Sequence, residues 1–225
     1  MWSAGPAPEG PDARRGAIRP GLHLERGMRV GLLGGSFNPA HEGHAHVAET
    51  ALTRLGLDRV VWLVSPQNPL KSARETAPLP QRMASARRAA RGPSMIVSDF
   101  ETRIGTAYTV DTLRALKARF PGVRFVWLMG SDNLAGFHRW RGWLEIARLV
   151  PIAVIARPGA LIRSRFAPAA RRLASVRVPQ ARARALAGLS APAWTYLHAP
   201  LNAASSTALR TRSAPLPDDR GEPAW

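Results

Sequence analysis

The chain has no cysteine, two lysines and no long uninterrupted apolar stretch. Without cysteine, disulfides and thiolate metal sites are excluded. Without an apolar run approaching ~18 residues, no transmembrane helix is expected. The first residues lack an apolar core of the secretory type, so a cytoplasmic location is expected. Acidic residues are also few: 15 against 32 basic ones, for a formal charge of +17. Lys71 and Lys117 are the two lysines; every other basic residue is arginine. So large a positive charge raises the question of a nucleic-acid partner. The arginines, however, are spread along the chain, as in Arg87-Arg88, Arg171-Arg172 and Arg182/Arg184, and do not alternate with aromatics. Together with abundant alanine and proline, they read as the coding bias of a GC-rich genome. A field that draws in anionic nucleotides is the less demanding reading, with no dedicated nucleic-acid partner and no membrane.

The 225 residues fit one domain with tails. Residues 1–27 are rich in Pro, Gly and Arg without periodicity and read as a disordered extension. The domain is placed at 28–212, with 213–225 a tail of similar character. Between the tails, apolar runs alternate with helical patterns. Strands are expected at Val30–Leu33, Arg59–Val64, Met95–Ser98, Arg124–Met129, Ile152–Ile155 and Trp194–His198. Helices are expected after Gly43, over Leu79–Arg91, over Thr109–Phe120 with Thr109 as N-cap, and over Leu134–Leu149 in one or two pieces. The Ala/Arg-rich segment 160–192 reads as helices covering one side. This alternation predicts an α/β fold, a Rossmann-like doubly wound parallel sheet of five to six strands with helices on both faces. Ligands then belong at the carboxyl ends of the strands.

The densest local signal follows the first strand: Gly34-Gly35-Ser36-Phe37-Asn38-Pro39-Ala40-His41-Glu42-Gly43-His44. Glycines let backbone N–H groups approach an anion, and a helix start favours negative charge. Two histidines in such a cradle suggest chemistry on a phosphate; a helix cap and a solvated loop residue are the plain alternatives. His46 falls on another side of the helix and reads as structural, and no carboxylate stands where a zinc site would need one. After the second strand, Ser65-Pro66-Gln67-Asn68-Pro69-Leu70-Lys71 presents an ammonium from a proline-stiffened loop, where an ordinary surface lysine is the alternative. Near the C-terminus, Ser205-Ser206-Thr207-Ala208-Leu209-Arg210 makes either a plain N-cap or a second anion cradle with an arginine one turn in.

The first motif resembles the G-G-[ST]-F-[DN]-P-x-H-x-G-H signature of the nucleotidylyltransferases. Two further segments narrow the resemblance to the bacterial nicotinate-nucleotide adenylyltransferases. Thr106-Ala107-Tyr108-Thr109-Val110-Asp111-Thr112-Leu113 is similar to their [ST]-x-Y-T-x-D-T-L. Gly130-Ser131-Asp132-Asn133-Leu134, followed by Trp140, is similar to their G-x-D-x-L segment with its tryptophan. The resemblance extends over about 28–212 and is weakest over 160–192. Ala204 stands where this family has Ile or Val before S-S-T.

The resemblance implies adenylyl transfer from ATP to nicotinate mononucleotide, giving deamido-NAD and pyrophosphate, with Mg²⁺ carried by ATP. It implies a catalytic set of His41, His44 and Lys71. ATP would be held by Gly34, Gly35, Ser36, Phe37, His44, Gly130, Asp132, Ser205, Ser206, Thr207 and Arg210. The nicotinate nucleotide would be held by Asn38, Lys71, Thr109, Trp140, Arg141 and Arg157, with Trp140 stacked on the pyridine ring or else a core tryptophan. The partners are then the two nucleotides, with the chain a monomer or homo-oligomer. Two other readings compete. The pantetheine-phosphate branch of the same fold has shorter chains without the Y-T-x-D-T-L and G-x-D-x-L pair. A basic nucleic-acid-binding protein with a degenerate nucleotide fold would have no need of both histidines.

Overall fold

The computed structural model describes residues 22–66, 76–157 and 166–198. Seven strands form one sheet: β1 (Arg29–Gly35), β2 (Arg59–Val64), β3 (Met95–Ser98), β4 (Arg124–Gly130), β5 (Ile152–Ile155), β6 (Arg177–Val178) and β7 (Trp194–Leu197). Their order is β3-β2-β1-β4-β5-β7-β6, and every pairing is parallel. The chain builds outward from β1 to β3 on one side and then restarts at β4 on the other. Two successive connections therefore leave in opposite directions between β1 and β4, opening a crevice at their carboxyl ends.

Strand residues alternate between two apolar layers. Leu32, Val61, Trp127, Val154 and Tyr196 face one layer. Leu33, Trp62, Leu128, Ile155 and Leu197 face the other. Both layers are covered, which is why these strands read as continuous apolar runs instead of clean alternation. The second layer is closed by α1 (Glu42–Leu55) and α2 (Leu79–Ala89). Helix α1 turns Ala45, Val47, Ala48, Ala51 and Leu55 inward and ends on Gly56, whose φ of 61° suits a glycine cap. The first layer is closed by α3 (Phe100–Arg103), α4 (Thr109–Arg119), α5 (Ser131–Gly136) and α6 (Trp143–Leu149).

The sheet has one strand more than the sequence suggested. It is the two-residue β6, in the segment expected to hold only helices. That segment contributes a short helix at Pro168–Arg172 and 3-10 turns at Ala174–Val176 and Gln180–Gly188. Thr109 is not the cap of α4: Tyr108 occupies that position, no side chain caps the helix, and Thr109 is its first residue. The helical stretch 134–149 divides between α5 and α6 around Trp140-Arg141-Gly142, where Gly142 has φ of 65°. The packed chain also begins before residue 28. Leu22 is 3% exposed within the first apolar layer, and Gly27 N–H donates to Gly122 O. The boundary drawn at residue 28 therefore lies inside the packed structure. Among the described residues, no helix is long and apolar enough to cross a membrane.

Candidate active site

The loop after β1 is fixed from several directions. Gly34 presses on the sheet: a Cβ there would lie 2.5 Å from Trp127 Cη2. Gly35 similarly lies against the Phe37 ring, 3.2 Å from Cζ. Packing thus excludes a side chain at Gly34 and leaves little room for one at Gly35. Phe37 has φ of 47° and is the one non-glycine residue in the left-handed region among those described. That conformation costs about 1–2 kcal/mol. Its ring, stacked on Trp62 at 5.2 Å and tilted against His44 at 4.9 Å, offsets the cost by burial. Asn38 Oδ1 accepts from Ala77 N–H, and Ser85 Oγ accepts from Ala40 N–H.

His41 and His44 then start α1 as a reciprocal pair. His41 is the N-cap, and its Nδ1 accepts from Gly43 N–H at 3.1 Å. His44 Nδ1 accepts in turn from His41 N–H at 3.2 Å. The rings lie 3.9 Å apart. A nitrogen that accepts carries no proton, so each neutral ring is held in the tautomer with its hydrogen on Nε2. His41 is 6% exposed. Burial, and then the Arg157 charge, lower its pKa to about 4, with Asp132 opposing. It is therefore neutral near pH 7, and its Nε2–H is a donor. The capping alternative and the catalytic one are not rivals here: the cap is what sets the tautomer.

From across the crevice come Gly130, Asp132 and Arg157, at the ends of β4 and β5. A Cβ on Gly130 would meet Asp132 Oδ1 and would lie 2.9 Å from Arg157 Cδ. Arg157 Nη1 pairs with Asp132 Oδ2 at 3.5 Å, and Arg157 N–H donates to the Ser131 hydroxyl at 2.9 Å. The structure thus groups Arg157 with Gly130 and Asp132, the pair assigned to ATP.

The other end of the crevice is built by α4 and the break before α6. The Arg141 guanidinium lies 4.4 Å over the Tyr108 ring and 3.8 Å from Asp111. Trp140 meets Trp127 edge-on at 6.2 Å and Phe137 at 5.4 Å. Beneath this end Glu101 is buried, and Thr112 Oγ1 lies 3.0 Å from its carboxyl oxygen. Burial pushes its pKa up to about 7, opposed by the Thr112 bond. Lys117 on α4 is exposed, and its ammonium donates to Leu149 O at the end of α6. Lys71, Ser205, Ser206, Thr207 and Arg210 lie outside the described residues.

One residue of the site escaped the sequence reading. Arg82 on α2 is buried and bonds Ser36 O, Ser65 O, Pro66 O and Ala77 O. In a chain so rich in arginine, its type carries no signal. Its helical phase does, since Arg82, Met83 and Ala86 form the buried side of α2.

Two adjacent imidazole N–H donors, with a guanidinium facing them across the crevice, suit charge that develops on phosphoryl oxygens. A family model described as cytidylyltransferase-like matches residues 32–212. The chain is 68% identical over 185 residues to a protein of Caulobacter sp. (strain K31) named probable nicotinate-nucleotide adenylyltransferase, covering 82% of this chain and 98% of that one. A Cereibacter sphaeroides protein of the same name is 58% identical over 183 residues, covering 81% and 97%. Among solved structures, Plasmodium falciparum nicotinic acid mononucleotide adenylyltransferase complexed with NaAD superposes with a TM-score of 0.61. The identity is 14%, and the match covers 82% of this chain and 83% of that one. At that identity the likeness concerns the fold alone.

Proposed function

The chain belongs to the nicotinate-nucleotide adenylyltransferases of the cytidylyltransferase-like family, and from that premise we propose how its residues divide the work of joining ATP to nicotinate mononucleotide. A phosphate oxygen of the mononucleotide attacks the α-phosphorus of ATP. The bond from that phosphorus to the bridging oxygen of the β-phosphate breaks, and pyrophosphate leaves. Deamido-NAD is the other product. Mg²⁺ arrives as part of the Mg·ATP substrate, where triphosphate oxygens and water satisfy its preference for hard ligands.

The observation that carries the reading is the reciprocal histidine pair at the crevice between β1 and β4. Fixed Nε2–H donors need no reorganisation as charge builds on the transferring phosphoryl group, and positioning with electrostatics supplies most of such catalysis. Arg157 adds positive charge from β5, with Asp132 restraining it. Gly130 leaves room for a ribose beside them. The nicotinate ring is assigned to the Tyr108–Arg141 end, where Trp140 supplies an aromatic face and the start of α4 offers N–H donors to the carboxylate. Lys71 and the Ser205–Arg210 motif are assigned to the phosphates on the resemblance described above. The domain is placed at 28–212, extended to include the packing of Leu22, in a cytoplasmic protein.

The test is pyrophosphate release with ATP and a panel of acceptors: nicotinate mononucleotide, nicotinamide mononucleotide and phosphopantetheine. Nicotinate mononucleotide should give the highest kcat/KM. Preference for phosphopantetheine, or no release with any acceptor, would overturn the reading.

A further inference from the structure

The four bonds of Arg82 join three separate parts of the chain. Its Nη1 donates to Ser36 O at 2.9 Å, in the loop after β1, and to Ser65 O at 2.7 Å, just after β2. Its Nη2 donates to Pro66 O at 2.7 Å, and its Nε to Ala77 O at 2.8 Å, just before α2. The residue is 2% exposed. Burying a guanidinium is costly, and removal from water lowers its pKa, yet arginine keeps its charge. A buried cation directed at backbone carbonyls does little that an apolar side chain could not do for packing alone.

The bond to Ser36 O has a specific geometric result. The Ser36–Phe37 peptide is trans, since the two cis bonds among the described residues are elsewhere. In a trans peptide the C=O and the N–H point in opposite directions. Fixing Ser36 O on Arg82 therefore turns Phe37 N–H away from the guanidinium. A cation on the carbonyl also polarises the peptide and strengthens that N–H as a donor. The φ of 47° at Phe37 then sets the next plane, leading toward the cap at His41. The bonds to Pro66 O and Ala77 O meanwhile grip the connection between β2 and α2, which carries Lys71, at both of its ends.

We propose that Arg82 is a positioning residue for adenylyl transfer. Its forked guanidinium orients the Ser36–Phe37 peptide so that Phe37 N–H serves the transferring phosphate, and it holds this loop in register with the ends of the β2–α2 connection. The proposal rests on the site assignment above. It gives that site a buried support that touches no substrate atom. Lysine should not replace it, because one ammonium on a single stem cannot reach four carbonyls arranged around a planar fork.

The experiment compares wild type, Arg82→Lys and Arg82→Ala in steady-state kinetics for both substrates, with and without millimolar guanidinium chloride. Melting temperatures and the ¹H–¹⁵N resonance of the Phe37 amide are followed in parallel. Arg82→Lys should stay folded, lose at least ~30-fold in kcat with a smaller change in KM, and show a shifted, faster-exchanging Phe37 amide. Guanidinium should restore part of the turnover of Arg82→Ala, and methylammonium should not. If Arg82→Ala does not fold, Arg82→Lys decides alone. Turnover of Arg82→Lys within about twofold of wild type, or an unmoved Phe37 amide, would overturn the proposal. Failure of the wild type to transfer adenylyl to any acceptor would instead overturn the functional reading, and the Phe37 resonance would still test Arg82.

Discussion

The two ends of the crevice are built differently. At the end assigned above to the phosphates, the side chains are locked to backbone: His41 to Gly43, His44 to His41, and Arg82 to four carbonyls. At the end assigned to the nicotinate ring they are held by other side chains near the surface. Tyr108 is 38% exposed, Arg141 stacks on it, and Arg114 bridges Asp111 and Glu145. Backbone anchoring gives a geometry that solvent does not relax, as charge stabilisation in a transition state requires. Surface pairs are individually weak and easily rearranged, which suits contact with a flat ring. Substitutions should therefore cost turnover at one end and mainly affinity at the other.

The sharpest way to break this contrast is His44→Ala. It removes one donor and the acceptor for His41 N–H, and should lower kcat by about 100-fold or more, or roughly 3–4 kcal/mol. A folded variant with turnover within about fivefold of wild type would leave the phosphate end no more organised than the ring end.

Next comes Glu101, the one buried acid among the described residues. Its folded pKa of about 7 lies above its unfolded value of 4.5. The folded state thus binds the extra proton, and stability falls as pH rises from about 4.5 through 7, by on the order of 3 kcal/mol. His41 acts oppositely: with a pKa of about 4 against 6.5, its contribution is present above pH 6.5 and is lost as pH falls through 4. Glu101→Gln should raise the melting temperature at pH 8 far more than at pH 5, removing the Glu101 part of the pH dependence. An equal change at both pH values would mean that Glu101 is ionised throughout.

A smaller effect is expected at Trp140. Its edge-on contacts with Trp127 and Phe137 tie it to the core, so Trp140→Phe is the cleaner probe. KM for the pyridine nucleotide should rise up to about tenfold, within the range of a lost stacking contact, while KM for ATP stays near wild type. A fall in melting temperature without any KM change would make it a core residue only. Least of all, Arg114→Ala should lower the melting temperature by no more than about 3 °C and leave kcat unchanged. A larger effect would show that the surface web is as rigid as the histidine pair.

Much of this was legible in the sequence. Strands buried on both faces announce themselves as apolar runs, so β1, β2, β4 and β5 fell where expected. β6 did not, because Arg177-Val178 is too short to have a pattern and is defined only by its pairing with β7. The histidines were legible because their spacing fixes them at the start of α1. Their interlocking was not, since it depends on ring nitrogens meeting particular N–H groups. Thr109 has the residue type of a cap, yet its neighbour Tyr108 takes the position without a capping bond. Arg82 could not be singled out by type in a chain with arginine at so many positions.

Gly34 and Trp127 compete for one volume, and the same indole packs edge-on with Trp140. Over generations of drift this makes three positions a single unit of inheritance. A lineage that enlarges residue 34 must first shrink residue 127, and doing so withdraws the support of residue 140. The glycine loop and the surface assigned to the ring are thus not separate modules for selection. A descendant enzyme with altered preference for the ring is expected to carry its changes around Tyr108 and Arg141, where neighbours can be exchanged one at a time.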